Sequence, residues 1–154
     1  MIRIEKRDAI DVLDDPQFDA LIEEYAEECS ISDMPPINYQ RDIYLQLESV
    51  GILHAFAAYD GGKLIGFMSM ILSVLPHYGA LTATTESVFV AKGYRKGSTG
   101  IKLIRAGEQF AESVGAVGIL LSAPANGVLS VLAPRIGYRK TNEVFFRRLN
   151  GSGN

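Results

Sequence analysis

Apolar residues along this chain recur at two different periods, and the switches between the two mark out its elements. Between Gly100 and Val114 they fall at steps of three and four (Gly100, Leu103, Gly107, Phe110, Val114), with Ile104 and Ala111 alongside. Lys102, Arg105, Gln109 and Glu112 take the other side, so the spacing predicts a long amphipathic helix. Gly107 lies on the apolar stripe, where a missing side chain lets the helix approach a sheet closely. Phe18, Leu21, Ile22, Tyr25 and Ala26 predict a helix over 16–29 with proline in its first turn. Ile43, Leu45 and Leu47 predict another over 39–50, ended by Gly51. Residues 30–37, with Pro35-Pro36, read as a loop.

The strands follow a shorter rhythm. Residues 2–4 make a brief first strand. Residues 53–59 and 63–74 read as two more, joined at Asp60-Gly61-Gly62, a strong hairpin signal. After a turn over 75–79, residues 81–90 form the next. Residues 117–121 are continuously apolar, as expected of a central strand covered on both faces. Residues 126–132 predict a short helix stopping before Pro134. Residues 138–148 predict a final strand or two centred on Val144, Phe145 and Phe146. The order β-α-α-β-β-β-α-β-α-β predicts an α/β (α+β) fold, a mixed sheet with helices on both faces. One domain is expected over 1–150, with 151–154 a flexible tail.

The most informative stretch is 86–110. An apolar run (Val88, Phe89, Val90) enters a turn carrying Gly93, Arg95, Lys96, Gly97, Ser98, Thr99 and Gly100, and the long helix leaves that turn without a break. The first amides of a helix lack intrahelical partners, and the helix dipole adds positive potential there, so the arrangement suits a phosphate-bearing ligand. Glycine lets the backbone approach such a ligand closely. An ordinary basic surface turn has the same local appearance. A Walker A loop fails, because Gly100 is followed by Ile101 and Lys102. A dinucleotide fingerprint fails too, because Gly97 to Gly100 supplies only its last spacing.

Arg95-Lys96-Gly97-Ser98-Thr99-Gly100 resembles motif A of the GCN5-related N-acetyltransferases, Arg/Gln-x-x-Gly-x-Gly/Ala, with Ser98 in place of the first motif glycine. Lys92-Gly93-Tyr94 before it resembles the family's approach to the loop. Asn126 followed by Gly137-Tyr138 resembles its Asn…Gly-Phe segment, and the 122–138 region is similar to small bacterial or phage members. The resemblance implies a mainly antiparallel sheet whose fourth and fifth strands splay apart around acetyl-CoA. It implies that Ser87, Val88, Phe89 and Val90 line the pantetheine arm and that Arg95 through Gly100 hold the pyrophosphate. Asn126 would contact pantetheine or the thiol region; a helix N-cap is the other reading of this residue. It implies acetyl transfer to a primary amine in a ternary complex, the alternative being a non-catalytic acyl-CoA-binding or interaction domain.

Catalysis needs a base for the amine proton. Glu86 is the only acid between Asp60 and Glu108, and strict alternation would put it on the face of Val88 and Val90. It is the candidate general base; a polar edge residue or a substrate contact are the other readings. The tyrosine that usually protonates the leaving thiolate, seven positions after the asparagine, falls on Ala133 here, so Tyr138 stands as the substitute.

Charge adds an asymmetry. Residues 1–50 hold four basic and thirteen acidic side chains, and the rest hold eleven and five. A basic C-terminal part suits an anionic ligand, while the acidic N-terminal part suits a cationic amine or is simply the solvated face of a helix. The basic residues form no long cluster, which argues against nucleic acid. No run is long and apolar enough for a membrane span, and nothing at the N-terminus resembles a signal peptide. A cytoplasmic protein is expected, and a homodimer is left open. Cys29 is the only cysteine, and with His54 and His77 it makes no metal-ligand spacing. No metal is expected.

Overall fold

The computed structural model describes residues 1–149; the predicted tail at 151–154 lies outside them. Five strands, β1 (Ile2–Arg7), β2 (Leu53–Asp60), β3 (Lys63–Leu75), β4 (Ala80–Val90) and β5 (Ile119–Leu120), form one sheet in that order. The first four pair antiparallel, and β4–β5 is parallel. The helices are α1 (Ala9–Leu13), α2 (Phe18–Cys29), α3 (Arg41–Ser49), α4 (Thr99–Ser113) and α5 (Val128–Arg135). The mixed, mainly antiparallel sheet with helices on both faces is the predicted fold class.

Each face of the sheet carries its own core. On one, α4 lays Leu103, Ile104 and Ala111 against Phe56, Met68, Met70, Ala83 and Val90, with Leu129 and Ile136 of the α5 region beside them. Gly107 lets the helix lie close there: a Cβ at that position would displace the terminal methyl of Met68. On the other face, Val12 of α1 and Phe18 and Leu21 of α2 cover Ala55, Ala57, Phe67 and Phe89. The two short helices α1 and α3 are tied together, Glu48 of α3 accepting the Ala9 N–H at 2.7 Å.

Four expectations are corrected. Strand β5 is two residues long and lies at the sheet edge, with Val117 exposed; after it the backbone leaves the ladder, the Ser122 N–H turning to Thr85 Oγ1 at 2.9 Å. Helix α5 continues through Pro134, which sits in the last turn and forfeits only one bond there. Its end is set instead by Gly137 at φ 101°, with the Tyr138 N–H reaching back to the Ala133 carbonyl at 3.0 Å. Residues 139–149 form no strand. With β5 so short there is no edge to pair with, and Val144 and Phe145 stay 90% and 85% exposed. Arg148 reaches across instead to the Asp33 carbonyl at 3.2 Å.

The fourth correction bears on the site. Ser69 pairs with Ser87 but Met70 with Thr85, so Glu86 is an extra residue in β4, a β-bulge. The bulge breaks the alternation and turns Glu86 away from the face of Val88 and Val90, toward α2 and α3.

Candidate active site

Parallel pairing of β4 with β5 falls at Ala83 and Thr84, with the Val117 N–H bonding the Leu81 carbonyl at 2.9 Å just before it. From the bulge onward, Ser87 to Val90 bond to β3 on one side and face no strand on the other. An unpaired backbone edge needs another partner. This edge runs directly into a single 3-10 turn, Lys92–Tyr94, and the start of α4.

At that start, Ser98 occupies the N-cap position with no side-chain cap, and the first helical bond is from the Lys102 N–H to the Ser98 carbonyl at 2.8 Å. No acidic residue lies in the first turn. A Cβ on Gly97 would meet nothing within 4 Å, and one on Gly100 only Val90 Cγ2 at 3.8 Å. Packing alone therefore does not demand glycine at either position, and its effect is to keep the loop surface bare. Lys96 is exposed; Thr99 is buried.

Arg95 has a different setting from a free phosphate ligand. Its guanidinium makes a two-pronged pair with Glu28 of α2 at 2.9 and 2.8 Å. Its Nε donates to the Val90 carbonyl at 2.7 Å, and the group lies 4.9 Å above the Phe89 ring. Glu24, one turn earlier on α2, accepts the Lys92 N–H at 3.2 Å. The acidic face of α2 thus clasps the basic loop. Sequence reasoning missed this, although the i, i+4 spacing of Glu24 and Glu28 held the signal.

The bulge points Glu86 into a cavity of about 330 Å³ between the sheet, α2, α3 and the 30–38 loop. The Tyr44 hydroxyl donates to one carboxylate oxygen at 2.8 Å, and Ser69 Oγ donates to the other at 2.5 Å. Ser69 also meets the Ser87 hydroxyl at 2.9 Å. Among the described residues no cation forms an ion pair with Glu86. Burial, and next the Glu86 charge, push the Tyr44 phenol well above the ordinary tyrosine range, so it stays a donor at neutral pH. Burial likewise raises Tyr25, on the cavity wall, to about 12. The Cys29 thiol, also lining the cavity, is raised by burial and by Glu28.

Tyr138 is not brought to Glu86. It packs with the α4-side core, and its hydroxyl donates to Glu108 at 2.9 Å in a separate cleft with Arg105. Burial, followed by the bond to Glu108, raises that phenol strongly. Position 133 offers only a half-buried methyl group. Asn126 is in the left-handed region at φ 61°, one residue before the N-cap Gly127, so it does not cap α5.

A model described as the acetyltransferase (GNAT) family matches residues 16–129. The chain belongs to the GNAT acetyltransferases. No curated protein sequence matches it. Solved structures agree on the GNAT fold at low identity. A ribosomal-protein-alanine N-acetyltransferase from Brucella melitensis biovar Abortus 2308 superposes with TM-score 0.74 at 18% identity, covering 96% of this chain and 99% of its own. An aminoglycoside acetyltransferase from an uncultured soil metagenomic sample, in complex with sisomicin, gives 0.75 at 18%, covering 97% of each. The aminoglycoside N-acetyltransferase AAC(6')-Iy in complex with CoA gives 0.71 at 17%, covering 97% and 95%. In this GNAT chain the open edge of β4 runs directly into the bare loop at the start of α4.

Proposed function

We propose that the chain transfers acetyl from acetyl-CoA directly to a primary amine bound beside Glu86. The observation that carries this reading is a carboxylate with no cationic partner among the described residues, held by two hydroxyls at the bulge where β4 parts from β5. An amine arrives as an ammonium ion, and Glu86 takes its proton, directly or through one water. The neutral nitrogen then attacks the thioester carbonyl. The C–N bond forms and the C–S bond breaks; the nitrogen's remaining surplus proton passes to solvent, and the sulfur, leaving as thiolate, takes one proton back from solvent.

The donor's place follows from the same geometry. The free edge of Ser87, Val88, Phe89 and Val90 suits the amide-bearing pantetheine arm, and a CoA complex of a protein with this fold supports the choice. The amides of Gly97, Ser98, Thr99 and Gly100 suit the pyrophosphate, with Lys96 adding charge and Arg95 holding the loop in shape. Asn126 lies on the connection between β5 and α5 and is assigned to the pantetheine arm on the sequence resemblance alone. A covalent relay through Cys29 is disfavoured, since its raised pKa keeps it a thiol. The reaction is assigned to the cytoplasm.

Acetyl-CoA at a hundred times its Kd should stabilise the protein by about 2.7 kcal/mol, with CoA nearly equal. Gly100→Val should remove the shift by filling the bare surface. Absence of any shift at millimolar ligand refutes the donor site. The second reading, an acyl-CoA-binding domain without turnover, draws on Ala133 and on the engagement of Tyr138 by Glu108. A panel of amines assayed for CoA release separates the two.

A further inference from the structure

We propose that the acceptor is a small monoamine, its one amino group carried on an apolar body about the size of a ring, rather than a polyamine or an aminosugar. This rests on the reading that the Glu86 cavity receives the amine. Three observations carry it.

The first is charge. Among the described residues Glu86 is the only charged side chain lining the cavity. The other carboxylates of the acidic N-terminal part that could have met a second ammonium are engaged elsewhere: Glu24 and Glu28 by the basic loop, Asp14 by Arg41 at 2.9 Å. Asp19 accepts the Tyr39 hydroxyl at 3.1 Å and does not line the cavity. A second ammonium buried here would have no anion to pair with, which is costly.

The second is the wall. Beyond the carboxylate the larger part of the wall is apolar, with Val12, Phe18, Ile22 and Phe67 among its side chains, and its polar side chains include Ser30 and Asn38. Phe18 and Tyr39 meet edge-to-face at 5.1 Å, and Phe18 and Phe67 lie 5.6 Å apart, an aromatic corner already fixed before any ligand enters. Apolar or aromatic surface on the acceptor gains by burial against it, whereas the many hydroxyls of an aminosugar would find few polar side chains, Ser30 and Asn38 among them, to replace the water they lose. The third is size. At about 330 Å³ the cavity sits near the bottom of the range of roughly 300–1,000 Å³ typical of small-molecule sites. It accommodates one ring and a short arm.

The test compares kcat/KM with acetyl-CoA for 2-phenylethylamine and isoamylamine against spermidine, kanamycin and a peptide with N-terminal alanine. The two apolar monoamines should lead by about 100-fold. Equal or better turnover of spermidine, kanamycin or the peptide overturns the proposal. If no amine is acetylated, the transfer reading fails, and calorimetry with 2-phenylethylamine in the presence of CoA decides this one: saturable binding supports it, and its absence overturns it. Ile37→Asp, at the half-open rim, adds a second carboxylate. It should weaken 2-phenylethylamine by about 10-fold and improve 1,5-diaminopentane, while the thermal shift with CoA stays the same. A diamine that gains nothing overturns the charge argument.

Discussion

The two faces of the sheet carry the same pair of groups in opposite circumstances. Toward α2 and α3, Tyr44 donates to Glu86 at 2.8 Å; toward α4, Tyr138 donates to Glu108 at 2.9 Å. The difference is Arg105. Its Nη1 lies 2.6 and 2.7 Å from the Glu108 oxygens, and its Nη2 donates to the Ile136 carbonyl at 2.9 Å. Glu108 is therefore neutralised, and its role is to tie α4 to the end of α5. Glu86 has only hydroxyls, which orient it and leave its charge unspent. A tyrosine beside a carboxylate thus says little about chemistry until the nearby cations are counted.

The largest expected effect strikes the carboxylates. With a working amine, Glu86→Gln should cut turnover about 10²-fold at neutral pH and less at high pH, where more of the amine is already neutral. Glu108→Gln should leave turnover within about twofold. Steady-state rates across pH 6–9 check both, and equal behaviour of the two variants would erase the distinction.

A smaller effect is expected at the phenols. Tyr44→Phe should lower kcat several-fold by loosening Glu86, with CoA affinity unchanged. Tyr138→Phe should cost about 1 kcal/mol of stability and leave turnover intact. If Tyr138→Phe instead abolishes turnover while CoA still binds, Tyr138 is the acid for the leaving thiolate, and the division between the faces is wrong.

The smallest effect is one the two faces share. Tyr44 and Tyr138 are both raised in the fold above the unfolded value of 10.0. The unfolded chain ionises first, so their stabilisation is complete below about pH 10 and is lost as pH rises toward the folded values. Melting temperatures taken from pH 8 to 12 should fall less steeply in Tyr44→Phe and in Tyr138→Phe than in the parent. Parallel curves would mean that neither phenol is perturbed.

These contrasts also show what the sequence could convey. Periodicity was enough for α2, α4 and the β2–β3–β4 meander, because each buries a regular stripe. It was enough for the basic loop, whose signal is local composition. It failed where one residue breaks a period: the bulge at Glu86 changes the face of the candidate base, and strict alternation has no means of announcing it. It failed again at 138–148, where an apolar run promised a strand that does not form, and at 117–121 it promised a central strand where the fold has a short one at the sheet edge. Tyr44 and Ser69 were invisible for another reason. They reach Glu86 across 42 and 17 residues, and a hydroxyl on a helix or a strand carries no mark of its distant partner.

Helix α2 serves two masters on two stripes. Ile22, Tyr25 and Cys29 line the cavity, while Glu24 and Glu28 grip the loop. Since successive residues turn by about 100°, the two sets lie on neighbouring faces of one rod. On the proposed reading, a descendant of this chain can exchange the first set and acquire a new acceptor without disturbing the grip on the basic loop. Change at the cavity and constancy at the loop are separable along a single helix.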